Sequence, residues 1–109
     1  MGRRRTGERL ITEHAVLPVI PGREEAFEAA FAEAKAIIST MPGFGGLTLS
    51  RSIEQPNTYL LLVEWATLEY HTEGFRGSAE YGRWRELLHH FYEPFPVVDH
   101  YEVVATAVR

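Results

Sequence analysis

Most of the residues able to do chemistry stand close together, on the run from Trp65 through His71 and Phe75 to Arg76. A histidine is the side chain whose ordinary pKa lies near neutral pH, so His71 is a candidate proton acceptor. A loop or capping role fits its position as well. Arg76 precedes Ser78, a candidate helix cap, and can hold an anionic group or pair with Glu69, Glu73 or Glu80. Trp65 offers an aromatic wall, or a core or interface tryptophan. Trp84 is open to the same two readings, wall or core. His14 and His100 fall on two strands that should pair; on one face they would meet each other or join His71. With Glu13 or Glu102 they would invite a metal, but the spacing lacks a compact ligand motif, so no metal is expected. His89 and His90 fall off the apolar stripe of their helix and are expected to face solvent.

These residues need a scaffold, and the hydrophobic pattern supplies one. Leu10–Ile20 reads as a strand, with Pro18 suited to an edge or bulge. Pro21-Gly22 breaks it. Acidic residues then open a helix whose stripe is Phe27, Phe31, Ala34, Ile38 and Met41. Pro42-Gly43 ends the helix. Phe44–Ile53 alternates as a second strand, with Leu47, Leu49 and Ile53 on one face. A turn at Glu54–Asn57 leads into the strand Tyr59–Trp65, which makes an antiparallel hairpin with the second. Thr67 can cap a short turn that Gly74 closes. Ser78 caps a second helix with the stripe Tyr81, Trp84, Leu88 and Phe91. Pro94 and Pro96 stop it, and Val97–Ala105 alternates as a last strand.

The order β-α-β-β-α-β predicts an α+β, ferredoxin-like fold: a four-stranded antiparallel sheet with both helices on one face. The first and third strands are apolar on both faces, yet two helices cover only one. A second copy packed sheet to sheet would bury the other, so a homodimer is expected.

The 109 residues are 45% hydrophobic and 24% charged, as in ordinary globular domains. There is no cysteine, hence no disulfide, thiol nucleophile or thiolate metal site. No apolar run can span a bilayer and none follows the charged N-terminus as a signal would, so no membrane partner and a cytoplasmic location are expected. Net charge is −4, although Arg3, Arg4, Arg5 and Arg9 crowd residues 1–9. Without a basic helix or aromatic platform, that arm reads as a disordered terminus ahead of a domain over residues 10–109, and not as a nucleic-acid contact.

Several short stretches together resemble the antibiotic biosynthesis monooxygenase family of the dimeric α+β barrel superfamily. They are Val19-Ile-Pro-Gly22 running into Glu25-x-Phe27, Met41-Pro-Gly-Phe44, and Val63-Glu-Trp65. Later come His71-x-x-x-Phe75-Arg76-x-Ser78, Tyr81-x-x-Trp84-Arg85 and His100-Tyr-Glu102. The resemblance implies a cofactor-free oxygenase that oxidises a small aromatic or polycyclic phenol to a quinone. His71 would be the base and Arg76 the anion stabiliser. Trp65 and Phe75 would be walls, with His14, His100 and Trp84 near the substrate. A non-catalytic small-molecule-binding or structural dimer of the same fold is the alternative. Haem degradation is disfavoured, because Arg85 stands where that branch has its ligating histidine and Ala15 near its asparagine.

Overall fold

The computed structural model describes residues 10–109; the arginine-rich arm lies outside the described residues. Strand β1 (Ile11–Pro18) leads to helix α1 (Glu24–Ile38), then to β2 (Phe44–Arg51) and β3 (Thr58–Trp65). A π-helical turn over Tyr70–Phe75 precedes helix α2 (Ala79–Leu88). Three 3₁₀ residues, His89–Phe91, follow it, and β4 (Val98–Glu102) ends the order. The sheet runs β2-β3-β1-β4 and every pairing is antiparallel, the expected ferredoxin-like arrangement.

Local chemistry explains the breaks. Gly22 and Gly43 take positive φ angles of 94° and 81°, which other residues adopt only under strain. Ser78 caps α2, its hydroxyl accepting from the Tyr81 amide at 3.1 Å. Thr67 accepts from the Tyr70 amide at 3.3 Å and starts the π-turn. Pro18 sits at the end of β1, beyond the reach of β4, whose pairing stops at Ala15. Its missing N–H therefore costs the ladder nothing, although β1 is a central strand.

Phe27, Phe31, Ala34 and Ile38 of α1 are buried against Ala15, Leu17, Tyr59, Leu61 and Val63 of the sheet. Two expectations need correction. Ile53 lies beyond β2 and is 90% exposed, because the strand gives way to the turn two residues earlier. The last strand ends at Glu102 and not at Ala105. The sheet face away from the helices carries Val16, Leu60 and Leu62 among Thr12, His14, Thr48 and Tyr101. Among the described residues no helix is long and apolar enough to cross a membrane.

Candidate functional site

Strand parity decides which polar residues meet. Glu13 stands opposite His100 in the β1–β4 ladder, and His14 stands opposite Asp99. Glu13 and His100 therefore share the helix-facing side, and His14 points to the other. There His14 packs edge-on against Tyr101, with ring centroids 5.3 Å apart. His14, expected beside a substrate, thus lies on the sheet face opposite Glu13 and does not join His71.

The π-turn delivers His71. Its wide winding closes through the Arg76 amide donating to the His71 carbonyl at 3.1 Å, and Gly77 allows the turn to tighten. A Cβ at Gly77 would stand 2.6 Å from the Glu73 carbonyl oxygen. His71 and Phe75 emerge on the same side with their rings stacked at 6.4 Å, and both are buried. His71 is no exposed loop histidine. Its ring lies flat on the Trp65 indole, with centroids 5.4 Å apart and planes 14° apart.

A continuous polar chain results. Trp65 Nε1 donates to Glu13 Oε1 at 3.0 Å, and His71 Nε2 lies 3.3 Å from the same oxygen. His71 Nδ1 is 2.8 Å from His100 Nε2. Burial, then the Arg76 charge, then His100 hold the His71 imidazole down to about 3. Burial also pushes the Glu13 carboxyl up, against the Trp65 hydrogen bond and Arg76, which both lower it. The ring is accordingly neutral at neutral pH, and its contact with Glu13 is a hydrogen bond of a neutral imidazole, not an ion pair. With Glu13 ionised, Nε2 carries the ring proton and Nδ1 accepts from His100. The chain reaches the sheet edge at His100, whose pKa burial also lowers, with Arg76 adding to that and Asp99 opposing it.

Beside this chain a cavity of about 360 Å³ lies between the sheet, α2 and the segment after it, near the small end of ligand pockets. Leu61, Phe75, Trp84 and Val98 give it apolar walls, while Glu13, His71 and Arg76 form one polar cluster. Among the described residues the one arginine–carboxylate pair is Arg51 with Glu28, so the alternative of an Arg76 pair with a neighbouring glutamate is not realised there. Tyr81, His89 and Tyr92 form a second polar cluster on the wall. His90 is exposed as expected, but His89 is half-buried, with its ring 4.9 Å from Phe95 and its pKa lowered by burial and then Arg85. The helix tightens to 3₁₀ winding after Leu88, which carries His89 off the face that an unbroken α-helix would give it.

Trp65 is also differently placed from a pocket wall. It is wholly buried, stands behind His71 and Phe75, and acts on the site through its N–H. Phe75, Arg76 and Trp84 do line the cavity, and His100 meets it through His71. Glu13, named in the sequence only as a conceivable metal partner, proves central. Its signal was its position: one carboxylate inside an otherwise inward apolar row of Ala15, Leu17 and Val19. Among the described residues no three His, Asp or Glu side chains are arranged to hold a metal ion.

A family model for antibiotic biosynthesis monooxygenase matches residues 10–87. An uncharacterized Bacillus subtilis (strain 168) protein, YczJ, is 53% identical over 95 residues, covering 87% of this chain and all of that one. A crystal structure from Bordetella bronchiseptica, described as a candidate antibiotic biosynthesis monooxygenase, superposes with a TM-score of 0.85 at 39% identity, covering 90% of this chain and all of the other. A monooxygenase from ActVA-Orf6 of Streptomyces coelicolor, solved with nanaomycin D, gives a TM-score of 0.78 over 93% of each chain; at 16% identity it speaks for the fold alone.

Proposed function

Since the chain belongs to the antibiotic biosynthesis monooxygenase family, we propose that it is a cofactor-independent monooxygenase acting on a small phenol. The observation that carries this reading is the cavity of about 360 Å³ in which aromatic walls meet a buried acid–base chain and Arg76, which makes no ion pair among the described residues. Oxygen chemistry without a metal or flavin requires the substrate to be its own reductant. An electron-rich phenolate can give electrons to O₂, a peroxide forms at a ring C–H ortho or para to the oxygen, and loss of water leaves a quinone. The balance is one phenol O–H, one ring C–H and one O₂ to two C=O and one H₂O. For this the protein supplies a proton acceptor in the Glu13–His71–His100 chain and a positive group, Arg76, for the phenolate and peroxide charge. Phe75 and Trp84 flank the ring.

A homodimer closed over the free sheet face belongs to the same reading, since Val16, Leu60 and Leu62 lie uncovered by any helix of the described residues. The test of activity is oxygen uptake with a panel of autoxidisable phenols such as dihydroxyanthracenes and dihydroxynaphthalenes. Protein-dependent uptake with formation of the quinone is expected. Tight binding of the phenols without uptake would replace the enzyme by a small-molecule-binding protein.

A further inference from the structure

His71 has no lone pair left for a ligand. Nε2 faces Glu13 Oε1 at 3.3 Å, and Nδ1 faces His100 Nε2 at 2.8 Å. A general base must reach the proton it removes, directly or through one water, with a free acceptor site. Glu13 meets that condition. Its Oε1 is taken by Trp65 and His71, whereas no donor among the described residues reaches Oε2. The one buried side-chain polar atom without a partner among the described residues is His14 Nδ1. Oε2 has no partner among the described residues and is not among their buried, unpartnered atoms, and the space beside Glu13 is the cavity it lines.

We propose that Glu13, through Oε2, is the base that takes the hydroxyl proton of the bound phenol, and that His71 and His100 are positioning residues for it. This rests on the phenol-oxidising reading above. In the step the substrate O–H bond breaks and an Oε2–H bond forms. The electron pair stays on the substrate oxygen, and no oxidant is involved. Negative charge passes from one buried oxygen to another, so the charge of the site is unchanged and burial does not penalise the transfer as it would the creation of a new ion. Arg76 then faces the phenolate. The proton held on Oε2 is available for return when the peroxide loses water. The titratable and charged groups facing Glu13 are His71 from the π-turn, His100 from β4, Arg76 before α2 and Tyr92 after it.

The test uses 4-nitrophenol, whose visible band reports ionisation, at a pH where the free probe is mostly neutral. Wild-type protein should bind it as the phenolate, and the infrared difference spectrum should show a carboxylic acid band appearing on binding. Glu13→Gln keeps an acceptor for Trp65 Nε1 and should bind the probe as the neutral phenol. His71→Asn should keep the phenolate band, because the base remains. With an oxidisable phenol, Glu13→Gln should lower turnover at least about 100-fold, the usual loss with a general base. A phenolate band that survives in Glu13→Gln and disappears in His71→Asn overturns the assignment. So does wild-type protein that shows no carboxylic acid band or does not bind the probe. Ionisation of the probe without oxygen uptake from any phenol would uphold Glu13 as the proton acceptor and strike only at the oxygenase.

Discussion

Replacing Trp65 with Phe removes one atom that matters more than its size suggests. Trp65 is 0% exposed, and its Nε1–H donates to the buried Glu13 carboxyl at 3.0 Å. The lost ring atoms should cost about 1–2 kcal/mol in packing. A hydrogen bond to an ionised group adds about 1.5–3 kcal/mol, against about 0.5–1.5 kcal/mol for a neutral pair. A total of about 3 kcal/mol lowers the melting midpoint of a domain this size by at least about 12 °C. The penalty should also depend on pH. The folded pKa of Glu13 lies above its ordinary 4.5, so its contribution to stability is complete below 4.5 and is lost as pH rises through the folded value. Losing the donor raises the folded value further, so the variant falls away from wild type as pH increases. Urea denaturation at about pH 5 and pH 8.5 should show a destabilisation larger by about 1 kcal/mol at the higher pH. Trp84→Phe, buried in the same core but making no bond to Glu13, is the control and should lose packing alone at both pH values. Equal, pH-independent losses in the two variants would refute the coupling of Trp65 to a titrating carboxyl.

Gly43→Ala should destabilise the chain by about 1–3 kcal/mol, since φ is 81° there and a methyl group would run into the Tyr70 ring; unchanged stability in urea would contradict this. Light scattering at micromolar concentration should give twice the mass of one chain, and Leu62→Glu on the free sheet face should halve it; a wild-type monomer would rule the dimer out.

The fold was legible because its signals are local. The stripe Phe27, Phe31, Ala34 and Ile38, the caps at Thr67 and Ser78, and the hairpin of β2 with β3 are each set within a few residues. The neighbourhood of Trp65, His71 and Phe75 was legible for the same reason. What could not be read was long-range register. Whether His100 shares a face with Glu13 or with His14 depends on the β1–β4 ladder, and a shift of one residue changes which. Glu13 stayed inconspicuous because its partners, Trp65 and His71, arrive from far along the chain. His89 was misplaced because helical periodicity was carried past Leu88, where the winding changes. Ile53 shows the matching error in a strand.

His100, the outer member of the polar chain, rides on a strand of five residues at the sheet edge, paired on one side to β1. Glu13 and Trp65 belong instead to the two central strands. The two ends of one hydrogen-bonded chain are thus secured to different degrees, and amides of β4 should exchange with deuterium well before those of β1 and β3. Each such opening of the edge frees Nδ1 of His71 while the carboxyl and indole stay in register. The proton position on that ring is then tied to the fraying of a single ribbon of backbone.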